Sequence, residues 1–337
     1  MKMNYFVTLL SIWGVLTGFY SCSNETIPTN ETEPIPIEID FEMEGFDYVT
    51  RAGHESGVEV SDIRNFFLLI ENPADPEFSY MLEMSNAYGD WRAYDLGTTN
   101  QRSLFFKNAT DPVRIKAVHW NKDHYHSFFT TKPDRWTRPY NILLDNAVSF
   151  SSAYIHSNDP VYANTTLIPK ESCPNGKLRL SFRHLFAKVK FFIQLPDGSV
   201  TYRRYGASET SPLSDLRIEG LYGAGYNGRY PNWVAATDHI EMPEGMMAEP
   251  ITLSRYRWTP FNVLTTCYVL MVVPQSVADG TFRVSFQYEG ETYHWTCQES
   301  DFRFETNKEY EINLKMTTTT RSAAASLTGT IEEGGNQ

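Results

Sequence analysis

Apolar and polar residues alternate with a period of two through most of the chain. Ile37, Ile39, Phe41 and Met43 stand between Glu38, Asp40, Glu42 and Glu44, the pattern of a strand with one face buried and one in water. Gly45 closes it. Phe66 to Ile70 is a continuous apolar run, Val113, Ile115 and Ala117 alternate, and Leu178, Leu180 and Phe182 alternate on even positions. Val189, Phe191, Ile193 and Leu195 alternate on odd positions, so the apolar face changes sides between His184 and Lys188. A bulge, or a strand crossing from one sheet to another, would absorb that slip. Tyr268 to Val273 reads as a central strand buried on both faces and stopped at Pro274. Phe282, Val284, Phe286 and Tyr288 lead through Glu289-Gly290-Glu291 into Tyr293, Trp295 and Cys297, a hairpin with a glycine in its loop. Tyr310, Ile312, Leu314 and Met316 form the last clear alternation before the tail.

Helical periodicity is nearly absent. Its best candidate, Ser61 to Ile70, is too rich in β-branched and aromatic residues. Short strands punctuated by Asn, Asp, Gly and Pro predict an all-β chain of sandwiches. Polar loops at 72–80, 121–140 and 196–250 argue against one closed barrel. The turn-rich stretch from Pro169 to Gly176 marks a boundary, giving β-sandwiches over 37–172 and 173–316 with a tail at 317–337. No internal sequence repeat is visible.

The N-terminus has a different character. Lys2 precedes a stretch from Tyr5 to Tyr20 that is apolar apart from Thr8, Ser11, Thr17 and the glycines, which predicts a secretory signal over 1–21. It is short for a membrane span, which takes roughly 20 apolar residues. Its end, Phe19-Tyr20-Ser21-Cys22, resembles a bacterial lipoprotein box, in which a small residue precedes the cysteine that is lipidated. Phe19 and Tyr20 depart from the usual Leu and Ala or Ser. Each buried methylene of an acyl chain contributes about 0.8 kcal/mol, so a multiply acylated Cys22 would be held firmly on a membrane. Residues 22–36, with Pro28, Pro34 and Pro36 among Thr, Asn and Glu, read as a tether that cannot bury enough apolar area to order itself.

Composition narrows the classes. The chain is 41% hydrophobic and carries a formal charge of -12, which makes nucleic acid a poor partner. Beyond Cys22 stand Cys173, Cys267 and Cys297, without CxxC metal spacing or the even count of a disulfide framework. Cys267 with Cys297 could bridge in an oxidising compartment; buried free thiols are the alternative. His119-Trp120-Asn121-Lys122-Asp123-His124-Tyr125-His126 is the one histidine-dense stretch. His124 and His126 would share a face if extended, but no third ligand stands at fixed spacing, so no metal or other cofactor is assigned. No nucleophile elbow, phosphate-binding glycine loop or EF-hand is present. Glu42 and Glu44 fall on the outer face of a strand, where carboxylates protect an edge more often than they catalyse. Trp91, Trp120, Trp136, Trp233 and Trp258 are candidates for a sugar-stacking surface or for core. The chain therefore reads as non-enzymatic.

Three segments, "LRLSFRHLFAKVKFFIQL" (178–195), "VLMVVPQSV" (269–277) and "YHWTCQESDFRFETNKEYEINLKM" (293–316), in that order behind a lipoprotein signal, resemble the fimbrillin-like proteins of Bacteroidia. The shared features are a Phe-x-His-x-x-Ala-Lys-Val strand, a strand closed by Val-Pro-Gln, and a late Phe-x-x-x-x-Glu-Tyr-x-x-x-Leu strand. The resemblance implies two transthyretin-like β-sandwich domains and a role as a type V pilus subunit, anchor or tip protein on the outer membrane, partnered by other pilus subunits and by a host protein or glycan. It implies that a trypsin-like protease cuts after a basic residue beyond the first strand, here Arg51, that the strand bearing Ile37, Ile39, Phe41 and Met43 leaves, and that a neighbouring subunit's strand replaces it. The tail offers a donor, because Ala323, Ala325, Leu327, Gly329 and Ile331 all lie on odd positions between Ser, Thr and Ala. A final strand of its own domain is the alternative for that tail. Where relatives often carry a tryptophan just after this strand, Glu332-Glu333-Gly334-Gly335 stands here. A monomeric, lipid-anchored glycan-binding protein is the rival reading of the whole chain.

Overall fold

The computed structural model describes residues 33–44, 63–86, 90–119, 140–141, 159–196, 213–222, 232–234, 239–242, 244, 251–253, 268–317 and 326–333. Almost every regular element is a strand. In chain order the first are β1 (Ile35–Pro36), β2 (Glu38–Glu44), β3 (Asn65–Glu71), β4 (Tyr80–Ser85), β5 (Arg92–Asp95), β6 (Gln101–Arg102), β7 (Phe105–Phe106), β8 (Val113–His119), β9 (Tyr140–Asn141), β10 (Val161–Leu167) and β11 (Lys177–His184). They continue as β12 (Ala187–Gln194), β13 (Ser214–Glu219), β14 (Asn232–Val234), β15 (His239–Glu241), β16 (Ile251–Leu253), β17 (Tyr268–Val272), β18 (Gln275–Ser276), β19 (Arg283–Tyr288), β20 (Glu291–Thr296), β21 (Arg303–Phe304), β22 (Glu309–Thr317) and β23 (Ser326–Glu333). Short helical turns at Pro76–Phe78, Pro169–Ser172 and Pro174–Gly176 interrupt them, each opening on a proline. Proline suits that position because it lacks the N–H that a first turn leaves unpaired.

An eight-stranded sheet in the order β2-β11-β10-β8-β3-β4-β5-β6 carries the first half. β3 lies between β4 and β8, and its unbroken Phe-Phe-Leu-Leu-Ile run is the composition of a strand covered on both faces. The second half is built from β17-β12-β22-β23 and β16-β13-β19-β20. In both halves the leading strand pairs parallel to a late one: β2 with β11, and β12 with β22. All other strand pairings among the described residues are antiparallel.

Among the described residues, two apolar clusters fill the halves. One gathers Phe66, Leu68, Ile70, Ile115, Leu178, Leu180 and Phe182; the other gathers Val189, Phe191, Ile193, Val284, Phe286, Ile312 and Leu314. The change of apolar face after His184 falls where the chain leaves the eight-stranded sheet as β11 and enters the next as β12. β11 packs with the first cluster, so the clusters divide at 184–187, beyond the turn-rich stretch 169–176.

β17, expected in mid-sheet, is the outermost described strand of its sheet, although Leu270, Met271 and Val272 are all buried. Burial on both faces is what its composition records, and it does not reveal the number of hydrogen-bonded neighbours. The β19–β20 hairpin has a two-residue turn, with Glu289 at φ 51° and Gly290 at φ 85°. Two positive φ values match the right-handed twist of the flanking strands.

Candidate functional site

Among the described strands β2 is an edge strand, paired on one side, with Leu178 opposite Ile39, Leu180 opposite Phe41 and Phe182 opposite Met43. Just before it, β1 pairs antiparallel with β7, and the Ile37 amide donates to Leu104 O at 3.0 Å. The leading segment therefore bridges two neighbours along its length. Gly176 makes this passage possible. It sits at φ +77°, and a Cβ built there would lie 2.0 Å from the Pro36 carbonyl oxygen, so neither its conformation nor the space beside it admits a side chain.

Ile35, Ile37, Ile39, Phe41 and Met43 are half-buried and pack on the first apolar cluster. Phe41 enters an aromatic socket, with ring centroids 6.0 Å from Phe66, 5.2 Å from Trp91 and 5.8 Å from Phe182, all edge-on. Trp91 and Phe66 are themselves 5.1 Å apart. Such pairs contribute about 0.5–1.5 kcal/mol each beyond the area they bury. Trp91, a sugar-stacking candidate by sequence, is thus a wall of this socket.

The outer face of β2 is tied by charge. Arg179 pairs with Glu42, Ser181 Oγ donates to Glu42 Oε1 at 2.9 Å, and Arg183 Nε donates to Glu44 Oε2 at 2.8 Å. These side chains are well exposed, so each pair is worth little on its own. Their value is to fix which residue faces which. Sequence reasoning missed them because the partners lie 137 to 139 positions apart; the available signal was that Arg179 and Arg183 both alternate with the apolar Leu178, Leu180 and Phe182, as Glu42 and Glu44 do with Phe41 and Met43.

The tail closes on its own sheet. β23 pairs antiparallel with β22, placing Leu327 opposite Met316, Gly329 opposite Leu314 and Ile331 opposite Ile312. Ile331 packs on the second cluster. A Cβ at Gly329 would stand 2.5 Å from Leu314 Cδ2 and 2.9 Å from Trp295 Nε1; the glycine is the space into which Trp295 fits. On the opposite face Phe192, Gln194, Asn313, Lys315, Thr328 and Thr330 line a shallow groove of about 620 Å³.

The three sequence signatures meet behind these strands. Lys188, almost wholly buried, places Nζ 2.8 Å from Glu309 Oε2, and Lys190 shares the same carboxylate. Burial by itself would raise the Glu309 carboxyl; the two ammonium groups outweigh it and hold the group below its ordinary value. Gln275 of Val-Pro-Gln accepts from the Tyr222 amide at 2.7 Å and donates to Tyr222 O at 3.1 Å and Val273 O at 2.9 Å. His184 is fully buried with Nδ1 2.8 Å from Asp159 Oδ2. Its amide donates to Asn307 Oδ1 at 3.0 Å, and the Leu185 amide donates to Pro160 O at 2.9 Å. This junction lies where the two clusters part.

Cys22, Arg51, Trp120, Trp136, Trp258, His124, His126, Cys267, Ala323 and Ala325 lie outside the described residues, and of Trp233 only the backbone, in β14, is described. Cys173 and Cys297 are buried free thiols, so Cys297 does not bridge. Burial raises both thiols above the ordinary range, away from reactivity. Among the described residues no cluster of three or more His, Cys, Asp or Glu could hold a metal ion.

The sequence profile of the fimbrillin-like family matches residues 83–333. The chain belongs to the fimbrillin-like family. Among solved structures, a Bacteroides uniformis protein provisionally assigned to cell adhesion is similar at 14% identity and a TM-score of 0.53, covering 89% of this chain and 98% of its own. A Bacteroides ovatus protein with the same provisional assignment is similar at 14% identity and a TM-score of 0.54, covering 90% and 98%. Likeness at that identity establishes the shared all-β fold. Among curated proteins none matches.

Proposed function

We propose that this chain is a non-enzymatic, lipid-anchored surface protein built as two β-sandwich units, which joins a pilus by exchanging its first strand. In this reading the signal over 1–21 is removed, Cys22 is acylated on the outer membrane, and residues 22–36 tether the fold. Cleavage after Arg51 then cuts the link between β2 and the rest, and an extended strand from another subunit takes its place. This chain's own tail, with Leu327, Gly329 and Ile331 at alternate positions, is the candidate arm to a neighbour.

The observation that carries the reading is the position of β2. Among the described strands it is an edge strand, parallel to β11, and the chain passes from it to β3 through residues 45–62, which contain Arg51. One cut there leaves the leading segment held by non-covalent ties alone: the β2–β11 ladder, the short β1–β7 pairing, the Arg179–Glu42 and Arg183–Glu44 ion pairs and side-chain packing. The departing strand uncovers Phe66, Trp91 and Phe182 and a full row of β11 main-chain groups, which is the template that strand addition requires. Family membership favours the same assignment.

N-terminal sequencing and mass measurement of the protein recovered from cells test it. A polymerised form starting at Ala52 is expected; a polymer whose subunits all retain residues 37–43 would overturn the exchange step. A second reading, a monomeric glycan binder, draws on the polar groove around Phe192. A monomer that binds polysaccharide under all conditions, losing it on Asn313→Ala, would favour that reading.

A further inference from the structure

The slot held by β2 has a shape and a charge pattern that this chain's own tail does not match. Resting on the strand-exchange reading above, we infer that the slot is filled by a different subunit, whose strand carries an aromatic residue flanked by larger aliphatic ones and acidic residues on its outer face.

The tail differs from the leading strand first in volume. The inward residues of the leading strand are Ile37, Ile39, Phe41 and Met43, and Phe41 fills a socket walled by Phe66, Trp91 and Phe182. The corresponding face of the tail is Ala323, Ala325, Leu327, Gly329 and Ile331. Side chains alternate along any extended strand, so sliding the tail in steps of two, or reversing it, only changes which of these enters the socket. Putting Leu327 there sets Ala325 and Gly329 beside it, where Ile39 and Met43 now pack. Putting Ile331 there sets Gly329 on one side and Glu333 on the other. Every register leaves voids that lose contacts to the socket walls.

The tail differs also in charge. Arg179 and Arg183 meet Glu42 and Glu44. The outward residues of the tail are Ser322, Ala324, Ser326, Thr328, Thr330 and Glu332, so Glu332 alone could meet an arginine, and no register offers carboxylates to both Arg179 and Arg183. The tail's inward face is, moreover, already matched in its own sheet, where the absent side chain of Gly329 makes room for Trp295. A face shaped by that tryptophan is ill suited to a socket built for a phenyl ring.

The test uses the full chain after its signal, cut with limiting trypsin, and fluorescent synthetic peptides of residues 33–44 and 317–333 followed by polarisation. The 33–44 peptide is expected to bind more tightly than the tail peptide by roughly tenfold or more, and Phe41→Ala within it to remove that advantage. Reversing Glu42 and Glu44 to Lys in the peptide should weaken it most at low salt. Equal binding of the tail peptide overturns the inference and leaves strand exchange standing. Unchanged binding of the charge-reversed peptide overturns its acidic part. A cut chain that keeps its own strand through gel filtration and admits neither peptide sinks strand exchange and the inference together. The uncut chain carrying Phe41→Ala gives an independent reading: peptide 33–44 should invade it and 317–333 should not, and the reverse preference overturns the inference.

Discussion

The ring of Phe41 meets the indole of Trp91 edge-on at a centroid distance of 5.2 Å, and this contact joins β2, at one end of the eight-stranded sheet, to the residue that leads into β5, next to the other end. Phe41 is half-buried, so truncation to alanine should cost about 2–3 kcal/mol, below the range for a fully buried phenylalanine. Urea denaturation checks this as a lower midpoint at unchanged slope. The same variant should release its leading strand faster after trypsin treatment, read as a shift in Trp emission as the socket becomes wet.

Gly176 offers a more selective probe of the same strand. Alanine there meets the Pro36 carbonyl and must also hold φ near +77°, so the leading segment should be pushed away by more than the roughly 1 kcal/mol expected of a mismatched glycine position alone. Hydrogen exchange should speed in 35–44 and in the facing β11 amides while β19 and β20 stay protected. Uniform acceleration across both halves would contradict a local effect.

How much of this was legible in the chain divides along a physical line. Period-two alternation made Ile37 to Met43, Tyr310 to Met316 and the hairpin around Gly290 readable, because inward and outward faces are local properties. The phase change after His184 marked the passage between sheets for the same reason. Pairing is not local: nothing in Glu38 to Glu44 announces that it runs parallel to Lys177–His184, and nothing in Tyr268–Val272 announces its place outermost among the described strands of its sheet. Turn-forming residues at 169–176 suggested a boundary because prolines and glycine cluster there, yet the chain re-enters the first sheet as β11. The tail illustrates the limit best. Its odd-position pattern identified the inward face, but the meaning of Gly329 depends on Trp295, a residue in another sheet.

The Lys188–Glu309–Lys190 cluster predicts an acid-sensitive contribution to stability. Glu309 in the folded chain is held below the ordinary carboxylate value, so it binds a proton more weakly there than in the unfolded chain. Its stabilisation is therefore fully present above about pH 4.5 and is lost as pH falls through the lower folded value. Glu309→Gln should flatten the stability profile in that acid window. It should also cost about 3–5 kcal/mol at neutral pH, because it leaves two poorly solvated ammonium groups without their shared carboxylate. Thermal melts from pH 3 to 7 of both proteins would check both statements.

The junction between the two clusters depends on polar contacts that neither cluster can replace. His184 and Asp159 are both fully buried, and the neighbouring bonds of Asn307 to the His184 amide and of Leu185 to Pro160 clamp the same few residues. His184→Ala leaves a buried carboxylate beside a cavity, and the expected loss is about 3 kcal/mol or more. The loss should be localised. If the pair couples the halves, calorimetry of the variant should separate one transition into two, with the half containing Phe191 and Ile312 melting near its original temperature.

Gly329 tests whether the tail belongs to its own sheet in the monomer. Alanine at 329 puts a methyl group within 3.0 Å of Leu314 and Trp295, and neither can withdraw freely, because Leu314 is inside the cluster and Trp295 is packed at 5.7 Å against Phe282. Overpacking of this kind costs about 1–3 kcal/mol, borne mainly by β23, the outermost described strand on its side of the sheet. The expected result is a modest fall in melting temperature with a large gain in tryptic cleavage after Arg321. Thr328→Ala, on the exposed face of the same strand, should change neither. A Gly329→Ala protein that melts and digests like the parent would mean that β23 does not lie under Trp295, and the tail would then have to be read as a free arm.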